Sequence, residues 1–165
     1  MGVVLLRVDE RLIHGQVVVG WGSQLHPDRI VVVDDEVARS SWERDLYALG
    51  APPEIEVVFA DVTEARRHFA AWKASEQRTI VLTRNLATMR RLAEAGMLAG
   101  EEINVGGIHY APGRREVLPY VFLSDEDEEH LRALGASGAR VSARDLPGSR
   151  RVSLEELLRR SEGRT

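Results

Sequence analysis

Val3-Val4-Leu5-Leu6-Arg7-Val8 is a nearly unbroken apolar run, and the polar stretch Asp9-Glu10-Arg11-Leu12-Ile13-His14-Gly15-Gln16-Val17 follows it at once. An apolar run without strict alternation reads as a strand covered on both faces, the usual condition of a parallel sheet. The polar stretch reads as a loop leading into a helix. Similar runs recur at Ile30–Val33, Ile55–Phe59, Thr79–Leu82, Ile103–Val105, Tyr120–Leu123 and Ala139–Ser142, with helical patterns between them. Asp61 with Glu64, Ser124 with Asp127 and Ser153 with Glu156 fit helix N-caps followed three positions on by an acid. Gly50 and Gly96 stand where helices should stop. The pattern predicts an α/β fold, an open, mostly parallel twisted sheet of about seven strands with helices on both faces.

The chain of 165 residues, 44% hydrophobic and 29% charged, fits one domain over residues 1–165. Ser161–Thr165 reads as a short frayed tail. A net charge of −4 gives no basic stripe for a phosphate backbone, so nucleic-acid binding is not expected. The first apolar run is too short, and too soon charged, for a signal peptide or membrane span, which predicts a cytoplasmic protein. Without cysteine there are no thiolate nucleophiles or thiolate metal sites. No G-x-x-x-x-G-K-[ST] or G-x-G-x-x-G run supports nucleotide binding.

In an open parallel sheet, function gathers beyond the carboxyl ends of the strands. That selects the loops Asp9–Gln16, Asp34–Glu36, Thr83–Asn85, Gly106–Gly113 and Ser124–Asp125. The first combines Arg7, Arg11, Asp9, Glu10 and His14 ahead of a helix. A neutral imidazole is a competent nucleophile near pH 7. Arg11 can grip phosphate oxygens bidentately, and backbone N–H groups near Gln16 favour the same charge. Gly15 permits close backbone approach, and Asp9 can orient the imidazole or brace Arg11. A lone histidine in such a loop is also commonly a surface or capping residue, and spacing does not separate the two.

Asp34-Asp35 could suit a phosphoaspartate receiver, but the chain's one lysine, Lys73, lies in a helical stretch rather than at a later strand end. Capping the helix that begins near Glu36 is the better reading. No oxygen-rich metal cage is expected. Gly106 and Gly107 fit either approach to phosphate or a tight turn. His109 can line the crevice or be structural, while His26, His68 and His130 read as surface. Of several arginine pairs, Arg114-Arg115 falls at the predicted active edge and is a candidate for partner docking. Trp21, Trp42 and Trp72 are expected to pack against the sheet.

The stretch R-V-D-E-R-L-I-H-G-Q-V, followed by Trp21, closely resembles the active loop of the mannose/fructose/sorbose family of phosphotransferase-system enzyme IIB components. The resemblance extends to about Gly148 through Ile30–Ala38, Thr83-Arg84-Asn85, Ile103-Asn104-Val105-Gly106-Gly107 and Asp145-Leu146-Pro147-Gly148. It implies a phosphocarrier without cofactor, whose His14 is phosphorylated on Nδ1 by the phosphohistidine of a IIA component. His14 then passes the group to sugar at membrane IIC and IID components, with which the protein would associate peripherally. Arg11 and Asp9 match the family's active loop, and Thr83 stands near the phosphate. The resemblance also suggests a homodimer. Two other readings stay open: a phosphorylated regulator that delivers no sugar, and a histidine phosphatase, although Ile13 rather than arginine precedes His14. The sugar is not legible.

Overall fold

A computed structural model describes residues 2–163. The order of elements is β1 (Val3–Val8), a π-helical segment Gln16–Trp21 running into α1 (Gly22–Leu25), β2 (Arg29–Val33), α2 (Asp35–Arg39), α3 (Ser41–Ala48), β3 (Glu56–Ala60), α4 (Val62–Ala74), β4 (Thr79–Thr83) and α5 (Leu86–Leu92). A 3₁₀ turn at Glu94–Gly96 precedes β5 (Glu102–Val105), β6 (Arg115–Leu118), β7 (Val121–Leu123), α6 (Asp125–Ala136), β8 (Arg140–Ala143), β9 (Val152–Ser153) and α7 (Leu154–Glu162). Among the described residues one sheet of seven strands runs β3-β2-β4-β1-β5-β8-β9, parallel except for β9. The expected α/β architecture is therefore present, with β1 flanked by β4 and β5.

The period of two along each strand divides the core. Val31 and Val33 join Val81, Phe69, Leu86, Leu131 and Leu157 under α4, α5, α6 and α7. Ile30 and Val32 join Ile80 and Leu82 on the other face, where Leu12, Ile13 and Val17 of the first βα connection close the core. Both faces of β2 and β4 are thus dry, which explains their unbroken apolar sequences. The caps form as expected. Asp61 and Ser124 each make reciprocal capping boxes, Ser153 accepts the Glu156 N–H, and the Asp34 side chain accepts the Glu36 and Val37 N–H groups.

Four local expectations need correction. The strand over 120–123 is not in the main sheet. It pairs antiparallel with β6 in a separate hairpin, and β9 supplies the seventh strand. Trp21 and Trp72 are buried, but Trp42 on α3 is 68% exposed, because α3 turns only its other side to the sheet. Ser161 is not part of a frayed tail, since it lies in α7, fully buried, with its hydroxyl on Glu128. Residues 164 and 165 lie outside the described residues. His130 is half-buried, with Nδ1 3.2 Å from Arg90 Nη1, rather than free on the surface.

Asp61→Ala should lower unfolding free energy by about 1 kcal/mol, since it strips the Glu64 N–H of α4 of its acceptor. Urea denaturation checks this; an unchanged midpoint would show that water replaces the cap without loss.

Candidate functional site

Three strand ends converge on the first loop. The Asp9 N–H donates to the Thr83 carbonyl (2.9 Å), Glu10 N–H to the Gly107 carbonyl (2.9 Å), and Gly106 N–H to the Val8 carbonyl (2.8 Å). Leu12 then adopts a left-handed backbone, φ 56°, which sends its own side chain and that of Ile13 into the core. Burial of two large apolar groups offsets the strain of φ > 0 in a residue with a Cβ. The reversal leaves His14 at the surface end of the helix, 14% exposed, with its carbonyl accepting from both Val17 and Val18.

His14 Nε2 lies 3.0 Å from Asp9 Oδ2. The carboxylate is completely buried. The approach is close but not collinear with the ring N–H, so it is an electrostatic contact rather than a straight hydrogen bond. It attracts if Nε2 carries the proton and repels if it carries a lone pair. That requirement assigns the neutral ring's proton to Nε2 and the lone pair to Nδ1. Burial alone would raise the Asp9 pKa, but contacts with His14 and Arg7 outweigh it and bring the carboxyl down to about 2. Asp9 Oδ1 accepts the Arg11 N–H at 3.1 Å and sits 3.6 Å from the Arg11 Nε. The Arg11 side chain is 43% exposed and donates to Gln16 Oε1 at 2.6 Å, so Asp9, Arg11, His14 and Gln16 form one cluster.

The remaining expected residues divide. Gly15 is helical, and a Cβ there would meet nothing within 4 Å, so packing does not demand glycine. Thr83 is buried at the end of β4 and donates its hydroxyl to the Asn85 carbonyl at 3.1 Å, while its own carbonyl holds Asp9. A Cβ on Gly106 would fall 2.2 Å from Arg7 Cζ, so this glycine admits the arginine head. A Cβ on Gly107 would stand 3.3 Å from both Asp9 Oδ1 and His109 Nε2. Arg114 is held by Glu10 (2.8 Å) and Asp127 (3.3 Å), and Arg115 by Glu128 (2.5 Å) and Asp125 (2.9 Å). His109 donates its backbone N–H to Glu10 (2.6 Å) and sets Nδ1 3.1 Å from the same oxygen, tying the 109–114 loop to the histidine loop.

Two residues to which sequence analysis assigns no role of their own, Arg7 and Asn104, contact this cluster from within the sheet. Arg7, 0% exposed, reaches Asp9 from behind, and Asn104 on β5 accepts from Arg7. The available signal was a guanidinium inside an otherwise apolar strand, which must find partners. Among the described residues no group of three or more His, Cys, Asp or Glu side chains forms a metal cage. Two cavities, one lined by Leu5, Trp21, Asn104 and Arg144 and the other by Asp34, Arg84, Asn85 and Arg91, do not include His14.

A family model described as the sorbose-subfamily IIB component of the phosphotransferase system matches residues 3–165. The chain belongs to that family. It is 31% identical over 158 residues to the mannose-specific EIIAB component of Escherichia coli (strain K12), covering 96% of this chain and 49% of the relative. The chain therefore spans about half the length of that relative and of its three counterparts from other Escherichia coli strains and Shigella flexneri. It is also 31% identical to the sorbose-specific EIIB component of Lacticaseibacillus casei, covering 87% of each. The crystal structure of the N-acetylgalactosamine-specific IIB component 1 from Escherichia coli superposes with a TM-score of 0.83 at 30% identity, covering 92% of this chain and 98% of the other. No helix among the described residues is long and apolar enough to cross a membrane.

Acid should expose the Asp9 contacts. A carboxyl whose folded pKa is depressed to about 2 contributes stability present above its unfolded value near 3.8, lost as pH falls toward the folded value. The contribution is on the order of 2 kcal/mol. Wild-type unfolding free energy should drop between about pH 4 and pH 2 by that much more than in Asp9→Asn. Parallel pH curves for the two proteins would contradict the assignment.

Proposed function

We propose that His14 is the phosphoryl carrier of this IIB component, charged on Nδ1 by a IIA phosphohistidine and discharged onto a sugar at the membrane IIC and IID components. The observation that carries this reading is the Asp9 carboxylate facing Nε2 at 3.0 Å, which leaves Nδ1 as the nucleophilic nitrogen. Its lone pair forms the new N–P bond while the donor's N–P bond breaks, the electron pair staying on the donor ring. In the second step a sugar hydroxyl oxygen bonds phosphorus, the N–P bond breaks with its electron pair returning to Nδ1, and the hydroxyl proton is released to solvent. A histidine 14% exposed at the rim, outside the two cavities, suits a group passed between proteins.

Within the reading, Arg11 and the N–H groups before the π-helical segment hold the phosphoryl oxygens, with Gln16 steering the guanidinium. The open space over Gly15 leaves room for the group. Thr83, Gly106 and Gly107 support the loop from the strand ends. Arg114, bound to Glu10 of the histidine loop, is the member of its pair we propose for partner contact, whereas Arg115 braces α6 and α7. A homodimer, and docking at the cytoplasmic face of the membrane components, complete the proposal. The relatives carry names of different sugars, and none is transferred to this chain.

Incubation with a phosphorylated IIA component, followed by mass spectrometry, should place an acid-labile phosphate on His14, with none taken up by His14→Ala. Stable label in that variant would overturn the reading.

Arg11→Lys keeps the charge but loses the planar fork. Transfer from IIA should slow by about ten- to a hundredfold, equivalent to roughly 1.5–3 kcal/mol, with the fold unchanged. Quench-flow rates equal to wild type would make Arg11 structural.

A further inference from the structure

Arg7 is a full positive charge inside the central strand. Its side chain is wholly buried, and a guanidinium taken from water is tolerated only with nearly every donor satisfied. Here the satisfaction is nearly complete. Nε and Nη2 both donate to Asp9 Oδ2, at 3.2 and 3.0 Å. Nη1 donates to the Asn104 side-chain oxygen and, at 2.9 Å, to the Arg144 carbonyl at the end of β8. The indole of Trp21 lies against the guanidinium, 5.5 Å from ring centroid to Cζ, and its own N–H is fixed on the Asp145 carbonyl at 2.9 Å. Gly106 leaves the space that the head fills.

An apolar side chain at position 7 would suit a dry strand as well, and exchanging buried ion pairs for apolar groups is often neutral or stabilising. Stability alone therefore does not account for this arrangement. Its geometry does, because the oxygen that receives both Arg7 donors is the oxygen that faces His14. An aspartate held only by His14 and the Arg11 N–H could turn its carboxylate about the Cα–Cβ and Cβ–Cγ bonds. The fork of Arg7, anchored on two further strands, fixes the carboxylate plane.

Resting on the reading of His14 as phosphoryl carrier, we propose that Arg7 is a positioning residue which, through Asp9, holds the imidazole proton on Nε2 and keeps the Nδ1 lone pair free for phosphorus. The same contact steadies the ring once phosphorylated. Forming the N–P bond at Nδ1 makes the ring cationic while Nε2 keeps its proton, and the fixed Asp9 carboxylate faces that charge. Arg7 touches neither phosphoryl group nor imidazole; it acts entirely through Asp9.

The test displaces Arg7 without removing charge. Gly106→Ala would set a Cβ 2.2 Å from Arg7 Cζ and push the head off Asp9. In the full chain with ¹⁵N-labelled histidine, ring shifts should move from the Nε2–H tautomer toward a mixture. Phosphorylation by a phosphorylated IIA component should slow by about ten- to a hundredfold, with the amide spectrum otherwise native. In an Asp9→Asn background the same substitution should slow transfer by less than about twofold more, since the residue through which Arg7 acts is already lost. Arg7→Met reads the same signals if Gly106→Ala fails to fold. An unchanged tautomer in the folded variant, or full additional slowing in the Asp9→Asn background, would overturn the inference. Wild-type protein that takes no label on His14 would instead overturn the carrier reading on which it rests.

Discussion

The buried contact between Arg7 and Asp9 is the constraint around which this molecule is arranged. Two opposite charges at the end of the central strand require partners from neighbouring strands and a route to the surface for the function they support. Asn104 on β5 and the Arg144 carbonyl after β8 supply the partners. Trp21 closes over the guanidinium, and Gly106 gives way to it. The route outward is Asp9 itself, whose second oxygen organises Arg11 while the first faces His14. Core and site are thus one hydrogen-bonded unit, and the parallel sheet matters because it brings the ends of β1, β4, β5 and β8 to one edge.

The loop displays an imidazole while its neighbours sink into the core. Leu12 and Ile13 are buried, Leu12 in a left-handed conformation, and the chain re-emerges at His14. The following segment winds as a π-helix, and such segments often accompany functional sites. The His14 carbonyl serves both Val17 and Val18, anchoring the residue through its backbone while the ring projects. A rigid backbone beneath the imidazole is what the proposed transfer at His14 requires for its orientation.

Much of this was legible in sequence because the signals are local. Unbroken apolar runs, capping residues and a β1 run ending in a charged loop are each signals a few residues long, and the strands and caps appeared close to where those signals put them. His14, Asp9 and Arg11 were marked by the loop and by family resemblance. What escaped depends on distant partners. Val121–Leu123 has the composition of a sheet strand, but its pairing with Arg115–Leu118 in a hairpin depends on Ile108, whose carbonyl accepts from Phe122 and whose N–H donates to the Tyr120 carbonyl. Ser161 reads as tail until Glu128, 33 residues away, binds its hydroxyl. Arg7 reads as one of two loop guanidiniums until Asn104, 97 residues away, is brought beside it. Trp42 looked like core because its chemistry is apolar, and α3 presents it to solvent.

The relatives carry the names of different sugars, and the one with a solved structure shares this fold. In the proposed mechanism Asp9 holds the proton on Nε2 and phosphorus bonds Nδ1. Phosphorus–nitrogen coupling in ¹⁵N-histidine protein, phosphorylated by a IIA component, tests it directly. Coupling to Nδ1 of His14 is expected, with Nε2 still protonated. Coupling to Nε2 would contradict it.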